Sequence, residues 1–258
     1  MTGPAGVTAL VLAETVAGGL VLLFLTPLWN EVKRGFFTLT GSILLGLSLA
    51  TWGAAAAGTT PGSDAGAWTV RLSVTLSLVV LVWVALMFAK RHPAARMIGI
   101  ASVPVSIAVL GAMAGTAEGP WTVAFLQLLA GAAFLGAVMD GLLLGHWYLT
   151  DRGLTRAPIN RFTNFLLVGV ALEAVALVLG GFGPTAASAD FNPLLTSAGL
   201  ASWIELGMVG ATALIAVLIR LTLKGTRSSA VQAATGFFYL AVITALTAEF
   251  AAKVAFLP

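Results

Sequence analysis

The chain has 258 residues, of which 59% are hydrophobic and 9% charged, with a formal net charge of +3. This composition lacks the charged surface of a soluble globular protein and reads as an all-α, polytopic integral membrane protein. No cysteine occurs, which excludes disulfides, thiolate-ligated iron–sulfur clusters and thioether-attached haem from this chain.

Eight apolar runs, each roughly 20 residues or longer, could cross a hydrocarbon core of about 30 Å as helices. They cover approximately 5–29, 36–57, 67–89, 97–116, 121–149, 160–182, 195–223 and 230–257. The runs are continuously apolar rather than alternating, which favours helices over a barrel. Turn-rich stretches separate several of them: "GTTPGSDAG" after the second, "EGP" after the fourth and "GFGPTAASADFNP" after the sixth. No gap would hold a soluble domain, so residues 1–258 are expected to form a single transmembrane domain. Residues 1–4 carry no basic n-region and the first run is too long for a secretory h-region, so that run is expected to stay as a mature helix.

Short loops rich in Lys and Arg stay cytoplasmic. One side collects Lys33, Arg34, Lys90, Arg91, Arg96, Arg152, Arg156, Arg161, Arg220, Lys224 and Arg227, whereas the other has Arg71 and Lys253. Both termini are therefore expected outside. The asymmetry accounts for the sequence pI of about 9.7, so the basic balance is no argument for nucleic acid. Trp29 and Trp147 at one level, with Trp68 and Trp121 at the other, are expected to form interfacial belts.

The halves of the chain share a pattern. "LWNEVKRGF" at 28–36 and "HWYLTDRGL" at 146–154 both have Trp, four residues, then Arg-Gly, at the cytoplasmic end of a span. Four spans per half give both halves the same orientation, as a parallel repeat of 1–118 and 119–258 requires. The plainer reading is that Trp and Arg are common at membrane interfaces.

Five of the ten acidic residues fall within spans: Glu14, Asp140, Glu173, Glu205 and Glu249. An ionised aspartate at a helix centre costs about 2.5–3.5 kcal/mol on insertion scales, so these groups should face the bundle interior. Glu14 and Glu205 are placed ~14 Å in from the outer side, Glu249 in the outer half, Glu173 near the midplane and Asp140 ~14 Å from the cytoplasmic side. Together they suggest a broken line of proton-relay sites across the membrane. Bland alternatives exist for several. Glu249 precedes Lys253 by four positions, which fits a local ion pair near the outer surface. Glu14 is followed by Gly18 and Gly19, and Glu205 by Gly207, so these carboxyls could instead serve helix packing. Asp140 shares a helical face with Ala133, Gly136, Ala137, Leu144 and Trp147.

The stretch "DGLLLGHWYLTDRG", residues 140–153, concentrates polar groups at the end of a span. Trp147 and Tyr148 offer flat walls, His146 a donor, Arg152 a cation and Asp140 a proton carrier, a candidate set for the head group of menaquinone or ubiquinone. The same residue types also serve as ordinary interfacial anchors. An intramembrane bis-histidine haem would need His92 and His146 drawn in from one surface. No His/Cys spacing suggests a metal, and no catalytic set is apparent. Lys253 is too near the outer end for a retinal lysine.

Eight spans in two four-helix halves, both termini outside, no cofactor ligands and isolated buried carboxylates together resemble the quinone-interacting membrane anchors of the NrfD and polysulfide-reductase type. That resemblance implies a prokaryotic cytoplasmic-membrane subunit of a respiratory or photosynthetic electron-transfer complex. It further implies partner subunits carrying the redox centres, with this chain either quinone-binding or non-catalytic. A proton-coupled transporter or channel, and an anchoring or assembly subunit, are the alternative expectations.

Overall fold

The structure, a computed structural model, describes residues 1–151, 153–180, 200–225 and 229–256. Arg152 and Arg227 lie outside the described residues. Those described form helices with no strand: α1 Gly3–Leu25, α2 Leu28–Glu31, α3 Arg34–Gly58, α4 Asp64–Phe88, α5 His92–Ala114, α6 Trp121–Thr150, α7 Ala157–Leu179, α8 Leu200–Leu223 and α9 Ser229–Phe256. All except α2 are long and apolar enough to cross a membrane. The protein is an all-α integral membrane protein with eight spans.

The first apolar run, read as continuous over 5–29, is interrupted. Pro27 lacks an amide donor and forces its predecessor out of the helical region; Thr26 accordingly adopts φ −107°, ψ 164°, and α1 stops at Leu25. The chain resumes as the short α2. Prolines at the first or second position set the starts of α1, α5 and α7. At the start of α4, the Ser63 hydroxyl accepts from the Gly66 amide at 3.1 Å.

Packing divides the spans into two rings. In the first, α1, α3, α4 and α5 follow one another and α5 returns to α1; in the second, α6, α7, α8 and α9 close in the same order. The rings meet chiefly along α1 and α6, with α1 also touching α9 and α5 touching α6. Where α1 crosses α6 the backbones are in contact. A Cβ on Gly18 would lie 1.8 Å from the Ala132 carbonyl oxygen, and one on Gly136 would lie 2.3 Å from the Gly18 carbonyl carbon. Small residues permit such an approach where lipid supplies no hydrophobic drive between helices. Gly18 and Gly136 are 118 positions apart, as are Trp29 and Trp147.

The bundle has two distinct ends. The Thr2 amide donates to the Gly58 carbonyl at 2.9 Å, which joins the start of α1 to the end of α3 at a terminal end, and the start of α4 meets the end of α5 where a Cβ on Gly115 would lie 3.3 Å from Ala65 Cβ. Residues 31–34, 90–96, 153–161 and 220–225 occupy the opposite, basic end. Large apolar side chains such as Met97, Val178 and Leu25 point outward toward lipid. The two tryptophan levels expected from the sequence differ in exposure. Trp68 and Trp121 are half exposed, but Trp29 is buried, with its ring centroid 4.6 Å from that of Phe37 and the Arg34 guanidinium stacked over it. The break at Pro27 turns Trp29 back onto the bundle instead of along the lipid face.

Candidate functional site

The terminal half of the bundle encloses a lysine. Lys253, near the end of α9, projects its ammonium inward to within 2.8 Å of Glu14 Oε1 on α1 and 3.0 Å of Glu249 Oε2 one turn earlier on α9. All three side chains are 2% exposed or less. Glu14 lies eleven residues into α1, ~16 Å along its axis, so the long lysine stem carries its charge to roughly mid-depth. The i, i+4 pair anticipated between Glu249 and Lys253 is present. It is fully enclosed, however, not placed near the outer surface, and its third member comes from the other ring.

Gly131 on α6 makes room for the carboxyls. A Cβ there would be 2.5 Å from Glu14 Oε1 and 2.9 Å from Glu249 Oε1. Both acids therefore press against one backbone position. Glu173 on α7 and Glu205 on α8 complete the cluster, close enough to Lys253 and Glu249 for direct electrostatic interaction. Glu173 is 2% exposed and its Oε2 has no hydrogen-bond partner among the described residues. It sits six residues from the end of α7, ~9 Å in, nearer the terminal end than the midplane expected of it. Four carboxyls and one ammonium in an apolar interior cannot all be ionised without a large desolvation cost, so protons must be resident.

Asp140 does not join the other four acids. It lies on α6 nine residues beyond Gly131, ~13 Å further toward the basic end, and no charged group among the described residues interacts with it. Its side chain is wholly buried, neither carboxyl oxygen has a hydrogen-bond partner among those residues, and Oδ1 is 3.5 Å from where a Cβ on Gly19 would stand.

The aromatic set after Asp140 diverges, because successive helical residues are turned by about 100°. His146 Nδ1 contacts the Leu142 carbonyl at 3.1 Å, and its Nε2 is bonded to the Tyr239 hydroxyl on α9. The neutral tautomer with its proton on Nδ1 satisfies both contacts. Trp147 fills a notch at Gly35 and meets Phe36 at a centroid distance of 6.1 Å. Tyr148 donates to the Thr155 carbonyl. Asp140 and Trp147 share a face; His146 and Tyr148 turn to other neighbours.

The rings are tied again at the basic end. Arg161 on α7 forms a two-pronged pair with Glu31 on α2, at 2.7 and 2.9 Å. Lys33 reaches Asp151 at the end of α6, at 3.1 Å. Hydrogen bonding from Arg161 holds the Glu31 carboxyl below its ordinary range. Neither pair was anticipated from the sequence, since each joins residues remote along the chain. Tyr239 was missed for the same reason.

No protein-family model matches the chain, and no match arises among curated proteins or solved structures. Among the described residues, no group of three or more His, Asp or Glu side chains could hold a metal ion.

Proposed function

We propose that the chain is a proton-coupled membrane transport protein whose exchangeable proton site is the Lys253 centre. The observation that carries this reading is the enclosed ammonium bridging Glu14 of one ring and Glu249 of the other. Intramembrane charges are costly, and where retained they mark ion pathways, relays or substrate sites. A proton gained or lost between Glu14 and Glu249 changes the charge facing Lys253, and with it the strength of the tie between rings. Proton occupancy is thereby linked to ring separation, as alternating access between repeats requires. The positive-inside rule puts the basic end in the cytoplasm, both termini outside and the centre toward the outer face of a prokaryotic cytoplasmic membrane. The Trp and Gly pairs at a common spacing of 118 residues support descent of segments 1–118 and 119–258 from one duplicated unit.

Purified protein in liposomes loaded with a pH-sensitive dye tests the reading. An imposed pH gradient should drive proton uptake, and Glu14→Gln and Lys253→Met should each abolish it. Wild-type uptake rates in both variants would remove the basis of the proposal. A second reading, a quinone-interacting subunit of a redox complex, is favoured by one feature: the enclosed Trp147 Nε1, without a partner among the described residues, on the Asp140 face of α6. Menaquinone or ubiquinone in the purified protein, or a co-purifying redox subunit, would support that reading. Quinone-free, partnerless protein that moves protons would exclude it.

A further inference from the structure

At the α1–α6 seam Gly18 meets Ala132 and Gly136, with the backbones touching at the Gly18–Gly136 crossing, and a Cβ on Gly19 would meet Met139 and Asp140. Small residues alone would make this only a tight helix contact. Asp140 distinguishes it. The side chain is 0% exposed, lies across from Gly19, and has two oxygens without a hydrogen-bond partner among the described residues. An acid kept for packing would donate its hydroxyl to a neighbouring carbonyl, and a structural ion pair would bring a cation. Asp140 has neither, so its burial serves no bond that the fold makes with it.

The geometry points to Asp140 as a second proton-binding position, separate from the Lys253 centre and on the route between it and the basic end. This inference rests on the proton-transport reading and extends it. One helix, α6, carries Gly131 at the centre, Asp140 nine residues on, and His146 six residues further, steps of ~13 and ~9 Å. Direct proton transfer needs groups within about 3 Å or one water, so each step runs through water admitted when the seam loosens. Around Asp140, α1 presents Gly19, α6 itself presents Met139 at that level, and no charged or titratable group on any neighbouring element interacts with it among the described residues. The site therefore takes a proton, not a metal or an organic cation, because a lone carboxyl without further ligands coordinates neither.

The test is proton uptake in dye-loaded liposomes by wild type, Asp140→Asn and Asp140→Glu, each with a pH profile. Removing an acid–base group from a transfer step costs roughly a hundredfold, so Asp140→Asn should lose about that much flux. Asp140→Glu, which keeps the proton site but moves it, should retain flux with a displaced pH profile. Flux within about twofold of wild type in Asp140→Asn would overturn the inference. If Asp140→Asn does not reconstitute, Asp140→Glu decides, and a pH profile identical to wild type overturns it. Should wild type carry no proton flux at all, the transport reading fails by itself. Infrared spectroscopy then judges Asp140 separately: a protonated-carboxyl stretch that moves in Asp140→Glu supports the site, and no such change overturns it.

Discussion

Replacing Lys253 by methionine keeps most of the apolar stem and removes the one basic side chain, among the described residues, that faces four carboxyls. The two ion pairs at 2.8 and 3.0 Å are lost together. Breaking a buried pair typically costs 3–5 kcal/mol when the surviving charge stays ionised. Protonation sets a ceiling on that cost. Removing the ammonium leaves the group of carboxyls with one more negative charge to neutralise, which a single added proton does. Loading a carboxyl of ordinary pKa near 4.3 at pH 7 costs about 2.7 pH units at 1.36 kcal/mol each, or ~3.7 kcal/mol. Lys253→Met should therefore destabilise the folded protein by about 3–4 kcal/mol at pH 7. The folded variant binds one more proton than the folded wild type, so the deficit should shrink by ~1.4 kcal/mol per unit as pH falls and vanish near the ordinary carboxylate value. Adding Glu249→Gln should recover most of it at pH 7, because the extra proton is no longer needed. Tryptophan fluorescence during thermal unfolding in detergent, at several pH values, measures all of this. A single variant costing under about 1 kcal/mol with no pH dependence, or a double variant no better than the single, would refute the argument.

Further outcomes follow from the same geometry. Gly131→Ala puts a methyl group 2.5 Å from Glu14 Oε1, so proton uptake should fall while the protein still assembles at a cost of about 1–3 kcal/mol; unchanged uptake would show that the carboxyl arrangement is not needed. Gly18→Val meets backbone, not a movable side chain, at 1.8 Å, and should abolish a monodisperse folded species in size-exclusion chromatography. The Glu31 carboxyl is held down by Arg161, so this pair contributes above the ordinary carboxylate range and is lost as pH drops through the lowered value. Being partly solvated, it should contribute ~1 kcal/mol or less. Glu31→Gln should accordingly lower the melting temperature slightly at pH 7 and not at all once the pH is below the lowered value of the Glu31 carboxyl. Because the chain contains no cysteine, a Glu31→Cys, Arg161→Cys pair offers a clean cross-link between rings; oxidation should stop proton uptake and a reductant restore it, whereas undiminished uptake when cross-linked would show that the basic end need not open.

Hydrophobicity alone marked the eight spans, because lipid imposes a length and composition that no soluble segment of this chain shares. It did not resolve Thr26 and Pro27, where a backbone constraint interrupts an otherwise unbroken apolar run. Buried acids were equally visible as a class, yet their grouping was not. Glu249 and Lys253 are a helical turn apart and could be paired from spacing; Glu14 reaches the same lysine from the first span, across almost the whole chain. Arg161 and Glu31 are 130 positions apart and Tyr239 and His146 are 93, separations that no local pattern encodes. The proximity of His146, Trp147 and Tyr148 in sequence was misleading for the opposite reason, since helical rotation sends neighbours in different directions. The register that aligns Trp29 with Trp147 also aligns Gly18 with Gly136.

The pairing of Glu14 with Lys253 also has a bearing on biogenesis. These residues sit on the first and last of the eight spans, so during synthesis the acid enters the bilayer long before its cation exists. Until α9 arrives, the Glu14 carboxyl on α1 is without the ammonium it meets in the folded bundle. Closure of that bridge therefore waits on the insertion of α9, and the inter-ring tie it makes forms late in assembly.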